Sequence, residues 1–558
     1  MATVTSTAVL ERRRFGRGGP VSGSGGSAVR ATRETLRERL GLPHPDPAWW
    51  AWAVAGVMGL LAGVLRFVNL GRPDSLAFDE TYYVKQAYSY LLVGHELSVT
   101  ESPTPIPEGE DDTYANDLFN SGTLDVFDRT PDFVVHPPLG KWMIAAGMQI
   151  DPDDTFFWRF SAAVVGTLSV VLIVLVARRL LGSTLLGGVA GLLLAVDGHH
   201  IVHSRTSLLD IFLSFWILVA FAFLLADRFQ ARERLAERVA QGLSAGTLSP
   251  YGPWLGWRPF RLLAGVSLGA ACATKWSGLY VLAALGLLTV LWDLDARRRA
   301  GVRRWFVGGL VRDSWVAFLA MVPVAFVVYL ASWFGWFRAP DSYNRTWAAE
   351  NPEQAVSWLP DSLAGLWQYH VSAYDFHTGI NTVDNEHPYM SNPWSWLVMG
   401  RPTSFFYQGQ ADGVTGCGAD ACTRAVTSLG NPVVWWGGAL AVVVVALAWV
   451  LRQDWRAGAI LVPFAASYLP WFMYQERTIF TFYAIAFTPF LVLALTYALG
   501  LVLGPATASA DRRLWGAVGA GAVVVAAVGC LLFFYPVWTA ELITTDEWRL
   551  RMWWPSWV

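Results

Sequence analysis

Apolar residues in this chain come in long runs broken by short charged stretches. Runs of this length and character predict membrane-spanning helices. Eleven are expected: Ala48–Val68, Phe157–Ala177, Thr184–Val196, Leu208–Ala226, Leu262–Ala273, Leu279–Trp292, Ser314–Trp336, Val433–Leu451, Ala457–Phe472, Ile479–Leu503 and Leu514–Tyr535. Leu139–Ile150 is apolar but short, and is expected to lie along the interface. Dense arginine clusters precede the first span and follow alternate later ones: Arg178-Arg179, the Asp227–Arg238 run, Arg297–Arg304, Arg452 with Arg456, and Arg512-Arg513. Placing every such cluster inside gives an inner N-terminus and an outer C-terminus.

This pattern predicts an all-α polytopic membrane protein. Residues 1–47, rich in Gly, Ser and Arg, are expected to form a basic disordered cytoplasmic tail ending in a short surface helix near Glu34–Leu40. Residues 48–336 form a first transmembrane module that includes an outer loop, 69–157. A large outer loop covers 337–432, and a four-span-type module covers 433–558. Composition agrees: of 558 residues, 54% are hydrophobic and only 15% charged, against roughly a quarter in soluble domains. The net charge of −2 says little, because the charges are sorted by side. Nothing suggests a nucleic-acid partner; the bilayer is the implied one. Internal repeats of the kind that build transporters are not evident.

Of the 41 basic residues only three are lysines, Lys85, Lys141 and Lys275. A lysine kept against such a bias marks a place that arginine does not fill. Cys417 and Cys422 share a polar loop expected outside the cell, where a local disulfide can form. Cys272 and Cys530 fall in apolar segments.

The candidate chemistry starts at Phe78-Asp79-Glu80, two adjacent carboxylates just after the first span. Carboxylates beside a bilayer are expensive and tend to be functional or tightly paired. Isolated outer-side cations accompany them: Arg66, Arg72, Arg129, Lys141, Arg159, Arg205, Lys275 and Arg477. Several converging on one face would grip a lipid phosphate, and arginine does so through paired hydrogen bonds. Each could instead anchor a helix end. Asp210 near Arg205, and Glu476 beside Arg477, are candidate local ion pairs. A sugar on a membrane phosphate holds its anomeric carbon at headgroup level. A carboxylate such as Asp79 can take the proton of an attacking hydroxyl, and fixed cations favour the leaving phosphate. Glu80 points elsewhere in any regular conformation and would orient the Asp79 loop by pairing with a cation. No cofactor is required; Mg²⁺ or Mn²⁺ shared by Asp79, Glu80 and a phosphate is an open alternative. His370, His377 and His387 match no standard metal spacing and read as structural or acceptor contacts.

Seven strings in order resemble the protein O-mannosyltransferase family, of the GT-C class of membrane glycosyltransferases: Phe78-Asp79-Glu80; His136-Pro137-Pro138-Leu139-Gly140-Lys141; Arg159-Phe160; Ser204-Arg205 with Leu208-Leu209-Asp210; Lys275-Trp276 with Gly278; His387-Pro388-Tyr389 with Ser391; and Arg477 with Phe480 and Tyr483. The resemblance implies inverting transfer of mannose from polyprenyl-phosphate mannose to Ser or Thr hydroxyls of secreted proteins. It implies Asp79 as base, supported by Glu80. Active-site or donor-phosphate roles fall to Arg66, Arg159, Arg205, Lys275 and Arg477. His136, Lys141, His387, Tyr389 and Ser391 fall to the loop or acceptor side. The central loop is too short for the β-trefoil domain of eukaryotic members, which points to the bacterial type, acting at the outer face of the plasma membrane on chains leaving the Sec translocon. The rival readings are a GT-C enzyme with a glycan or lipid acceptor, a transporter, and a non-catalytic scaffold. A transporter would place charges in mid-span, whereas these charges cluster at helix ends.

Overall fold

The computed structural model describes residues 25–42, 48–104, 113–379, 387–505 and 507–558. Each of the eleven apolar segments holds a helix, but that of Ile479–Leu503 begins only at Thr488, after a short 3₁₀ turn at Thr481–Ala486. Seven of these helices are long and apolar enough to cross a membrane; Thr184–Ala195, Pro259–Thr274 and Thr488–Leu503 are shorter apolar helices. The chain is a multi-pass helical membrane protein.

In chain order, α1 is Gly25–Arg39, α2 Ala48–Phe67, α3 Glu80–Val93, α4 Leu139–Met148, α5 Thr155–Leu181, α6 Thr184–Ala195, α7 Gly198–His203 and α8 Leu209–Ser244. They are followed by α9 Pro259–Thr274, α10 Gly278–Arg299, α11 Trp315–Ser332, α12 Asp361–Gly379, α13 Pro432–Arg452, α14 Trp455–Tyr468, α15 Thr488–Leu503 and α16 Ala510–Trp538. One apolar core joins α2 to α16, with Phe212 and Phe221 of α8 and Phe490 of α15 fully buried in it. Both transmembrane modules thus share their packing.

The tail differs from expectation in its last part. Residues 25–39 form a helix docked on the far end of α8: Leu36 and Leu40 are buried against Leu235 and Val239, and Arg33 and Arg37 pair with Glu233. Residues 1–24 lie outside the described residues, as does most of the Pro- and Glu-rich stretch at 102–112. The short segment after Leu139 forms α4, packed on α3 and α5.

Short strands organise the loops. Strand β1 (Leu97–Val99) pairs antiparallel with β2 (Phe127–Pro131). In the second loop β3 (Thr403–Gln408), β4 (Cys422–Ser428) and β5 (Ile543–Thr544) form a three-stranded sheet in that order. A disulfide joins Cys417 to Cys422 at the start of β4. This sheet carries Phe405 down onto the start of α3.

Candidate active site

Asp79 occupies the N-cap position of α3, but its side chain does not cap the helix. An Asp at this position ordinarily accepts from a backbone N–H of the first turn. Here its carboxylate has no hydrogen-bond or ion-pair partner among the described residues. The preceding residue explains the placement. Phe78 has φ +52°, a left-handed conformation that a bulky residue adopts only under constraint. Its ring stacks on Phe405 at 4.9 Å and meets Phe482 at 5.3 Å and Phe480 at 6.0 Å. Three aromatic side chains from two distant segments therefore hold the turn that aims Asp79.

Glu80 faces the opposite way and is fully buried. Its Oε1 accepts from Arg159 Nε and Ser207 N, both at 2.8 Å; its Oε2 accepts from Arg159 Nη2 at 2.8 Å and Ala77 N at 2.9 Å. Four bonds fill the carboxylate, so Glu80 has no oxygen left for a metal shared with Asp79. Among the described residues, no group of three or more His, Cys, Asp or Glu is placed to hold a metal ion. A divalent ion at Asp79 would have to complete its shell from a donor phosphate and water.

A second carboxylate lies close by. Asp210, in the first turn of α8, pairs with Lys275 at the end of α9, with Nζ 2.9 and 3.1 Å from its two oxygens. The ammonium also sits 4.4 Å from the centre of the Tyr483 ring. Burial raises the Asp79 carboxyl to about 7; Lys275 opposes the rise and Asp210 adds to it. His136 and His377 stand with ring centres 5.3 Å apart, and each has a buried Nδ1 without a partner among the described residues. Burial holds both neutral, reinforced by the positive charges of Lys275 and Arg477. The Arg477 Nε is likewise buried and unpartnered among the described residues. Lys275 thus carries its charge toward Asp79, His136 and His377, and Arg477 carries its own toward both imidazoles.

Arg159, Arg205, Arg66 and Lys141 are engaged by protein groups. Arg159 spends its remaining donors on the carbonyls of Pro73 (2.7 Å), Ser75 (2.9 Å) and Leu70 (3.3 Å). Arg205 donates to the carbonyls of Arg66, Val68 and Asn69 at 2.8, 2.8 and 2.7 Å, closing the end of α2. Arg66 is fully buried against Ala62 O, Leu194 O, Ser204 Oγ and His200 Nδ1, the last at 2.8 Å. All three engage protein acceptors where a phosphate clamp was expected, and Arg205 Nε is buried without a partner among the described residues. Lys141 is fully buried on Glu96 (2.6 Å) and the carbonyl of His136 (2.9 Å). Ser391 is taken up by Thr481 Oγ1 at 2.8 Å and Trp396 Nε1 at 3.0 Å. Tyr389 lies under Arg401, which ties Pro388 O to the carbonyls of Ser556 and Val558. His387 packs on Phe480 at 5.0 Å, beside the Phe78 cluster. Asp210 pairs with Lys275 rather than Arg205.

The match to known families follows this layout. Residues 137–299 match the family described as dolichyl-phosphate-mannose-protein mannosyltransferase, and residues 362–557 match the C-terminal four-helix membrane region of protein O-mannosyltransferase. A polyprenol-phosphate-mannose–protein mannosyltransferase of Mycolicibacterium smegmatis is 38% identical over 517 residues, covering 91% of this chain and 93% of its own. The chain belongs to the protein O-mannosyltransferase family. The like-named enzymes of Mycobacterium tuberculosis and Corynebacterium glutamicum are 38% and 33% identical, each over 91% of this chain, and over 92% and 93% of their own lengths. The Saccharomyces cerevisiae Pmt1–Pmt2 complex bound to the sugar donor aligns with TM-score 0.66 at 14% identity, covering 95% of this chain and 94% of that one. The O-mannosyltransferase chain therefore has the GT-C glycosyltransferase fold. Asp79 and Glu80 precede the first matched region, whereas Asp210 and Lys275 lie within it. Sequence reading passed over the Phe405–Phe482 clamp. Aromatic residues are abundant here, and nothing local distinguishes these.

Proposed function

We propose that this chain transfers mannose from polyprenyl-phosphate mannose to Ser or Thr hydroxyls of secretory proteins, with Asp79 as general base. The acceptors would reach it at the outer face of the plasma membrane as they leave the Sec translocon. The acceptor oxygen attacks the anomeric carbon as the bond to the phosphate oxygen breaks. The hydroxyl proton passes to Asp79, and the bond electrons leave with the polyprenyl phosphate. Attack opposite the leaving group inverts the anomeric centre. The carrying observation is the Asp79 carboxylate: unbonded, aimed by a strained turn, and raised to about 7. That value suits a base working near neutral pH. Lys275 and Arg477 are the cations placed to favour the leaving phosphate. His136 and His377, neutral and with free ring nitrogens, suit contacts to sugar or acceptor hydroxyls. The donor named for the actinobacterial relatives supports the substrate.

The test is transfer of labelled mannose from polyprenyl-phosphate mannose to a Thr-rich peptide, comparing wild type with Asp79→Asn. Loss of the base lowers the rate at least ~10²-fold. Undiminished transfer by a well-folded Asp79→Asn protein would remove Asp79 from this role. Donor consumption without any peptide product would point instead to a glycan or lipid acceptor.

A further inference from the structure

A sizeable cavity lies at the opposite end of the molecule from Asp79. Helices α2, α5 and α8 run between the two: each has one end near Asp79, Arg159 or Asp210, while Trp52, Arg179 and Phe229 line the far cavity. It measures about 530 Å³, within the range of small-molecule sites. Its walls include Trp52, Leu175 and Phe260, and its rim carries Arg37, Arg178 and Arg179.

Among the described residues, three arginines and one carboxylate line the cavity. Glu233 is the one carboxylate lining the cavity, and Arg33 and Arg37 already engage it. Arg178 reaches Thr184. Arg179 has no hydrogen bond or ion pair among the described residues; its guanidinium packs 5.7 Å from the Phe229 ring centre. Arg228 lies 5.6 Å from that same ring and 3.4 Å from Trp455, only 3% exposed, with Nε and Nη1 unpartnered among the described residues. Two cations thus approach one phenyl ring; Asp293 and Asp295 act on Arg228, whereas Arg179 has no hydrogen-bonded or ion-paired carboxylate among the described residues. The carboxyl end of α5 opposes an anion by its dipole, but the paired arginines on its last turn outweigh it. Beside the cavity, Trp49, Trp50 and Trp52 are 69, 53 and 60% exposed at the start of α2, the placement of an interfacial aromatic belt.

We propose that this cavity binds an anionic phospholipid, its headgroup phosphate at Arg179 and its acyl chains along Trp52 and Leu175. The apolar wall and the aromatic belt favour a lipid over free phosphate. The site is independent of the glycosyl-transfer reading and needs only that the apolar helices span a membrane.

Purified, delipidated protein in neutral detergent tests it, with bound lipid counted by native mass spectrometry and thermal stability followed in parallel. The probes are short-chain phosphatidylglycerol, short-chain phosphatidylcholine and inorganic phosphate. Wild type should retain and be stabilised by phosphatidylglycerol above the other two. Arg179→Glu and the milder Arg179→Gln should weaken retention about tenfold, the size of one charge-assisted contact. Arg303→Glu, an exposed arginine at the same end, should leave it unchanged. Equal retention in the Arg179 variants, equal binding of phosphatidylcholine, or full reproduction of the effect by inorganic phosphate would each overturn the proposal.

Discussion

Arg159 and Glu80 form a two-point pair in which no donor or acceptor of either faces water: Nε and Nη2 each lie 2.8 Å from a carboxylate oxygen, and both side chains are fully buried. The pair joins α5 to the first turn of α3, so the position of Asp79 is set from behind. Arg159→Gln leaves Glu80 buried and uncompensated, which costs about 3–5 kcal/mol. Glu80→Gln should cost a comparable amount, and the double variant less than the sum of the two. Thermal unfolding in detergent measures this. A raised donor KM with unchanged stability would instead return Arg159 to the phosphate.

The rate should depend on pH through Asp79. With its carboxyl near 7, kcat/KM rises as pH passes through about 7 and levels off above it. Lys275 lowers that carboxyl, so Lys275→Gln should move the rise to higher pH as well as slow the reaction. A profile unmoved in Lys275→Gln would separate the lysine from Asp79.

The same shift acts on stability. The carboxyl is raised above its value in the unfolded chain, so the folded state holds the proton more tightly. The stability this adds is present at acid pH and is lost as pH rises through about 7. Asp79→Asn, which stays neutral, should therefore melt at or above the wild-type temperature at pH 8 while losing activity. Melting below wild type at that pH would contradict a desolvated, ionised Asp79.

Phe405 is predicted to matter through Phe78. Phe405→Leu removes the ring stacked on Phe78 and releases the left-handed turn. Misaiming the base should lower kcat about tenfold or more, with donor KM little changed. Single-turnover transfer at saturating donor reads this directly.

Gly166 marks where α5 touches the Arg66 network. A Cβ there would lie 2.1 Å from Ser204 Oγ and 3.3 Å from Arg66 Nε. Gly166→Ala should destabilise by about 1–3 kcal/mol, and adding Ser204→Gly should recover part of the loss. An unaffected melting temperature would show that α5 and α7 separate easily.

Much of the framework was legible because its signal is one-dimensional. A run of apolar residues predicts a helix whatever it packs against, and each of the eleven predicted segments holds a helix. The adjacent carboxylates also stood out, since charge is sparse in this chain. The roles of the cations were not legible. Arg159 and Arg205 end mostly on backbone carbonyls, and a carbonyl leaves no mark in a sequence. Proximity to a helix end is common to a phosphate ligand and a buried strut. The three lysines were a better guide: all are buried, and Lys85 donates to Asn116, Lys141 to Glu96 and Lys275 to Asp210. The docking of α1 on α8 was missed because the basic character of the segment masks Leu36 and Leu40, the side chains most buried in the packing.

The closure of α2 by Arg205 bears on the order in which the molecule is made. The carbonyl of Val68 waits for a donor 137 residues further along the chain. At about 5–20 residues per second of synthesis, that is roughly 7–27 seconds. Through that interval the carbonyls of Arg66 and Val68 lack the guanidinium that closes them in the folded chain. The arrival of Arg205 fixes α2 against the entrance to α8. The nascent acid loop between them, with Asp79 in it, thus acquires its final anchorage only once α7 has emerged.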